Sequence, residues 1–210
     1  MSYLIVLGSI TVVHLVAAAS PGPNFLIVTR TSAGLSRRAG VLTALGVATA
    51  GALWSGAAVL GLSFVFERFV WLYGVLKLLG GAYLIYLGVK TWLGAAKPPA
   101  VSAERYEIQA TEGWRYFWMG ALTKNLTNPK AAVFFGSIFT ALLPPEAPGW
   151  LQVSAVAVVA VNSVWWHCAL ALLFSTRGAQ RVYRRAKLWI DCASGGVMTL
   201  LGVRLVLSSR

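Results

Sequence analysis

The sequence predicts an all-α integral membrane protein in which six transmembrane helices form two inverted three-helix repeats, with helices 1 and 4 broken. Three observations lead there. The 210 residues are 58% hydrophobic and only 11% charged, with a mean hydropathy of +0.71, whereas soluble domains carry about 25% charged residues. Basic residues gather in alternate connections between apolar segments. Two of those segments are interrupted by proline at matching places half a chain apart, Ser20-Pro21-Gly22-Pro23-Asn24 and Thr127-Asn128-Pro129-Lys130.

Crossing a hydrocarbon core of about 30 Å takes roughly 20 mostly apolar residues, and six segments qualify: about 3–30, 39–66, 69–95, 117–143, 150–175 and 187–208. The first lacks a basic run before Tyr3, and Ser-Pro-Gly-Pro is a poor cleavage site, so it reads as a mature helix and not as a secretory signal. Proline removes a backbone donor and clashes with the preceding turn, so this segment breaks near Pro21 and Pro23. The second carries small residues every fourth position, Gly40, Ala44, Ala48, Ala52 and Gly56, a stripe suited to close helix packing. The third contains Leu79-Gly80-Gly81 and Leu87-Gly88-Val89-Lys90. The fourth breaks at Pro129. The fifth holds Ser163-Val164-Trp165, and the sixth Ser194-Gly195-Gly196 and Leu201-Gly202-Val203-Arg204.

Several of these stretches echo one another. A shift of 115 residues carries Leu79 to Ser194, a shift of 114 carries Leu87 to Leu201, and a shift of 111 carries Trp54 to Trp165. The stretch 97–113 has two prolines and the charges Glu104, Arg105, Glu107 and Glu112. It reads as a cytoplasmic linker between a first repeat, 1–96, and a second, 114–210. With three spans each, the halves insert upside down relative to one another.

The formal charge is +12, and its placement speaks for a membrane, not for nucleic acid. Arg30, Arg37 and Arg38 follow span one; Lys90, Lys97, Arg105 and Arg115 follow span three; Arg177, Arg181, Arg184, Arg185 and Lys187 follow span five. The positive-inside rule makes the connections 30–38, 90–115 and 177–187 cytoplasmic and places both termini outside, with Arg204 and Arg210 running against the trend. Cys168 and Cys192 lack Cys-x-x-Cys spacing, so neither a disulfide framework nor a metal site is expected, and both read as buried small hydrophobes. No cofactor is expected. Membrane lipid is an expected partner, and the Gly/Ala-rich face is compatible with a homodimer.

The chain resembles the LysE/RhtB family of bacterial amino-acid exporters. The resemblance rests on Ala19-Ser20-Pro21-Gly22-Pro23-Asn24, on Gly34, Arg37, Arg38, Ala39, Gly40 and Leu45-Gly46, and on Asn125-Leu126-Thr127-Asn128-Pro129-Lys130-Ala131. It implies an exporter in the bacterial inner membrane, driven by the proton or another ion gradient. Many members carry an acidic residue directly after Pro-Gly-Pro, where this chain has Asn24.

An amino-acid zwitterion at the bilayer midplane needs donors for its carboxylate and acceptors for its ammonium, both already oriented. Broken helices supply both: the half-helix after Pro23 offers free N–H groups and a positive dipole end, and residues before each break leave carbonyls without helical partners. The expected binding residues are Pro21, Gly22, Pro23, Asn24, Asn125, Asn128, Pro129 and Lys130. Asn24 and Asn128 also suit a capping role. Lys130 falls about midway along span four, where an ammonium costs at least ~2.5 kcal/mol, so it either holds substrate or pairs. Lys77 and Lys124 lie nearer the span ends and read as snorkelling.

Asp191 is the one acid within a predicted span, and it either accepts a proton or pairs with Lys187 or Arg185. His14 and His167, which titrate near neutral pH in water, are the other candidate proton relays. With so few buried acids, a cationic substrate side chain lacks a partner, which favours neutral amino acids such as threonine, homoserine or leucine over dibasic ones. A cation or metal transporter needs several intramembrane carboxylates or thiolates. A membrane enzyme needs a nucleophile, a metal cluster or an acid/base pair, and no His-x-x-x-His, Gly-x-Ser-x-Gly or two-carboxylate arrangement occurs in a span. Both alternatives rank below the exporter.

Overall fold

Proline and glycine set where the first span bends. In the computed structural model, which describes residues 3–20, 22–68, 70–96, 118, 122, 125–127, 129–144 and 146–207, helix α1 (Tyr3–Ala19) and helix α2 (Pro23–Gly34) meet at 58°. Gly22 is extended and turns its N–H back to Ser20 O at 2.7 Å. Pro23 occupies the first helical position, where its missing N–H costs nothing, and regular bonding resumes with Leu26 N–H on Gly22 O at 3.0 Å.

Helix α3 (Arg37–Arg68) starts after a short turn in which Ser36 Oγ caps the Ala39 N–H at 3.1 Å, the expected role of serine at a helix start. Next come α4 (Val70–Ala95), α5 (Pro129–Leu142), α6 (Gly149–Phe174) and α7 (Arg177–Leu207). Among the described residues there is no strand. Four helices are long and apolar enough to cross a membrane, over Arg37–Leu62, Leu78–Ala95, Gly149–Phe174 and Arg185–Leu207; the bent α1/α2 pair makes a fifth. The fourth expected span, 117–143, contributes the shorter apolar helix Ala131–Leu142, and most of its earlier part lies outside the described residues. So does the linker 97–113.

Two of the basic stretches read as connections, 30–38 and 177–187, are mostly helical. Only Leu35 and Ser36 separate α2 from α3, and 177–187 forms the first three turns of α7. Arg, Lys, Gln and Ala are good helix formers, so charge alone does not end a helix. Arg37 Nε donates to Ser175 Oγ at 2.8 Å, and Lys187 Nζ donates to the carbonyls of Gly94 and Ala95 at 3.1 and 3.2 Å. The first contact puts the α2–α3 turn beside the α6–α7 turn at one end of the molecule, and the other two tie the end of α4 to α7 three turns in from its start. At the other end Tyr3 meets Trp150 edge-on, ring centroids 5.2 Å apart.

Helices α4 and α7 lie antiparallel along a seam of glycines. A Cβ on Gly81 would sit 2.9 Å from Gly202 O, and one on Gly202 2.5 Å from Gly81 O; one on Gly88 would sit 2.6 Å from Gly195 O, and one on Gly195 2.7 Å from Gly88 O. Only glycine permits this approach. A single shift of 114 carries Gly81 to Gly195 and Gly88 to Gly202, so it turns one contact into the other.

On α3 the small-residue stripe is buried at Gly40, Ala44 and Ala48; a Cβ on Gly40 would lie 2.6 Å from Ser32 Cβ of α2. At Gly56 nothing approaches within 4 Å, so the close packing ends before that residue. Cys168 is half-buried, but Cys192 is exposed, contrary to the expectation for it, because it lies on the outward face of α7.

Two apolar clusters divide the interior. One joins Val6, Ile10, Val59, Leu62, Phe135, Phe139, Leu143, Leu151 and Val159, with Trp54 packed against it, towards the Tyr3/Trp150 end. The second joins Phe25, Val28, Ala44, Val47, Leu170, Ala171 and Phe174, with Trp166 and Tyr183 packed against it, towards the Arg37/Ser175 end. Phe25 stacks on Tyr183 at 4.8 Å and meets Phe174 edge-on at 5.4 Å, sealing that cluster with aromatic rings from α2, α6 and α7.

Candidate functional site

Between the two clusters lies a thin polar layer built from four helices. On α3, one turn after Val47, Gly51 leaves room for neighbours: a Cβ there would lie 3.2 Å from Ser163 Oγ of α6 and 3.7 Å from the Phe135 ring of α5. His14 of α1 stacks on Phe135 with centroids 6.1 Å apart, and its Nε2 is 3.2 Å from Ser163 Oγ. One turn further along α6, His167 Nδ1 bonds to Ser163 O at 2.8 Å. Ser163 thus links two buried imidazoles, one through its hydroxyl and one through its carbonyl. His14, Ser163 and His167 are all at most 4% exposed.

Asn125 enters the same layer from the fourth segment. Its Nδ2 donates to Val47 O at 3.2 Å. The other amide atom, Oδ1, is buried without a partner among the described residues, as is Nδ1 of His14. Buried polar atoms are nearly always paired, so each of these two atoms is a candidate for a bond to a ligand or water.

Tryptophan supplies a feature that sequence reasoning did not find. In a regular helix the carbonyl of Asn125 accepts from the residue four further on, which is Pro129 and has no N–H. Trp54 Nε1 donates to Asn125 O instead, at 3.2 Å. At the first break, the Gly22 N–H that would serve Ala18 O is turned back to Ser20 O, and Trp166 Nε1 donates to Ala18 O at 3.0 Å. Each break is thus capped by an indole from the opposite half of the chain. The shift of 111 carries Trp54 to Trp165, which is exposed, and its neighbour Trp166 makes the bond. In a Trp-Trp pair only helix phase tells which ring points inward.

The remaining expected residues divide. Gly22 and Pro23 form the first break, and Asn24 sits half-buried in the first turn of α2. Pro21 and Asn128 lie outside the described residues; Pro129 and Lys130 open α5, with their side chains outside the description. Carbonyls expected to be free for an ammonium group are in part taken, since those of Ala18 and Asn125 accept from indoles.

Asp191 is buried in α7 but paired: its Oδ2 lies 2.7 Å from Lys187 Nζ, which also holds the last carbonyls of α4. Its Oδ1 has no partner among the described residues, and one turn further along α7 Ser194 Oγ donates to Val16 O of α1 at 3.0 Å, two residues past His14. Arg204 lines a separate cavity of about 140 Å³ near the opposite end, with Val6, Ser9, Leu142 and Leu201.

The family described as LysE type translocator matches residues 15–209. The threonine efflux protein of Escherichia coli strain K12 is 34% identical over 200 residues, covering 95% of this chain and 97% of the relative. A threonine efflux protein of Salmonella typhi is 32% identical over the same shares, and the uncharacterised Escherichia coli membrane protein YahN is 30% identical over 89% of this chain and 82% of its own length. No solved structure matches. The match over nearly the whole chain, with the bent α1/α2 pair and several apolar spanning helices, makes this a multi-pass membrane transporter, not an enzyme, and a member of the LysE type translocator family.

Proposed function

We infer that the chain exports amino acids across the bacterial inner membrane, preferring neutral ones such as threonine, homoserine or leucine, and that it does so by alternating access coupled to the proton gradient. The observation that carries this reading is the polar layer between two apolar clusters, where Asn125 Oδ1 and His14 Nδ1 have no partners among the described residues. The N-terminal end of α2, with Pro21, Gly22, Pro23 and Asn24, receives the substrate carboxylate. Asn125 accepts from the ammonium group, with Asn128, Pro129 and Lys130 completing that side. His14, Ser163 and His167 form the proton-handling group. Asp191 serves the cytoplasmic end through its pair with Lys187.

Glycine at all four positions of the two α4–α7 contacts, Gly81 with Gly202 and Gly88 with Gly195, supports an inverted relation between residues 1–96 and 114–210. The shared end of the basic connections supports its cytoplasmic placement, with both termini outside. Counterflow in proteoliposomes tests the function. Labelled threonine, homoserine and leucine are expected to exchange, lysine weakly, and an imposed proton gradient is expected to drive net movement. Preference for lysine, or exchange of none of these, sinks the reading.

A further inference from the structure

We propose that Trp54 and Trp166 are paired positioning residues of the transport cycle, each latching one of the two gates by capping the helix break of the opposite half. The geometry is matched at both breaks. Trp54 reaches from α3 to Asn125 O, the carbonyl that Pro129 leaves without a donor. Trp166 reaches from α6 to Ala18 O, the carbonyl whose helical donor is turned away at Gly22. In hydrocarbon an open carbonyl is not replaced by a bond to water, so each indole holds its half-helix in one pose.

The two latches belong to different ends. Trp54 packs against the cluster of Val6, Ile10, Val59 and Phe139, and Trp166 against the cluster of Phe25, Val28, Leu170 and Phe174. Both caps are made in this structure. The Trp166–Ala18 bond is therefore released when the Arg37/Ser175 end opens to the cytoplasm. Conversely, the Trp54–Asn125 bond is released when the outer end opens. This rests on the alternating-access reading above and on the cytoplasmic placement of the basic end.

Ser163 is the place for a reporter, since it lies on α6 between Val159 of one cluster and Trp166 of the other and is 2% exposed. In full-length protein carrying C168A, C192A and S163C, the rate of modification by a membrane-impermeant thiosulfonate is measured in inside-out and right-side-out vesicles. Adding Trp166→Phe is expected to raise the rate at least fivefold in inside-out vesicles only; adding Trp54→Phe is expected to do so in right-side-out vesicles only. Should a phenylalanine variant fail to insert, benzothienylalanine at the same position keeps the ring shape and removes only the N–H, with the same expectation. Equal changes at both faces, no change, or the reverse assignment overturns the proposal. The readout needs no substrate, so its failure leaves counterflow intact, and failure of counterflow leaves the sided labelling standing.

Discussion

Lys187 and Asp191 form a buried ion pair one turn apart on α7, Nζ to Oδ2 2.7 Å, with side chains 8% and 3% exposed. The same ammonium donates to Gly94 O and Ala95 O, the C-terminal carbonyls of α4, which have no helical donors of their own. One side chain thus neutralises a buried acid and ties the end of α4 to α7.

Removing one partner leaves the other charge buried and uncompensated, which typically costs about 3–5 kcal/mol. Lys187→Ala is accordingly expected to lower the melting temperature in detergent more than Asp191→Asn, because it strands both the carboxylate and two carbonyls. Thermal unfolding followed by size-exclusion chromatography checks the order. Gradient-driven export by Asp191→Asn separates structure from relay: retained export assigns Asp191 to the pair, and loss of export at unchanged counterflow assigns it to proton handling.

A second expectation concerns the glycine seam of α4 and α7. Gly88→Val places a side chain within 2.6 Å of Gly195 backbone, which cannot rotate away, so the helices must separate. Overpacking of this kind costs typically about 1–3 kcal/mol, and Gly195→Val is expected to match it because the two contacts are reciprocal. Gly61, with nothing within 4 Å, is the control: Gly61→Ala is expected to leave stability unchanged or slightly raised. Membrane yield and melting temperature of the three variants decide it.

The helical class and the two breaks were legible because both are written in single-residue chemistry: apolar length, and proline without a donor. Residues at 177–187 misled, since charge marks the membrane boundary but does not stop a helix, and Thr176 Oγ1 accepts from Ala179 N–H at 3.5 Å to start α7 well before the apolar stretch. The proline breaks at Pro23 and Pro129 were readable, but not what caps them. That depends on the rotational phase of α3 and α6, which brings Trp54 and Trp166 to carbonyls more than seventy residues away in sequence. Ser163 is likewise invisible as a bridge until α1 is laid beside α6.

Asn125 offers a third test. Its Nδ2 is committed to Val47 O, and its Oδ1 has no partner among the described residues. A neutral hydrogen bond is worth about 0.5–1.5 kcal/mol and one to a charged group about 1.5–3 kcal/mol. Asn125→Ala is thus expected to raise the KM for threonine exchange roughly tenfold or more if Oδ1 meets the substrate ammonium. A purely structural asparagine predicts a lowered melting temperature with an unchanged KM, and transport kinetics in proteoliposomes distinguish the two.

The last expectation turns on Ser163, the junction of both histidines. Ser163→Ala keeps the backbone carbonyl that His167 uses but removes the hydroxyl 3.2 Å from His14 Nε2. If protons pass between the two imidazoles, the link is cut while both rings stay in place, held by the Phe135 stack and the Ser163 carbonyl. Counterflow, which needs no net proton movement, is then expected to survive within about threefold, a difference of under 1 kcal/mol. Gradient-driven accumulation in the same vesicles is expected to fall at least tenfold, and Ser163→Thr, which restores a hydroxyl, is expected to recover part of it. Equal loss of counterflow and accumulation would instead assign the hydroxyl to packing around Gly51, whose missing Cβ leaves 3.2 Å to the same oxygen.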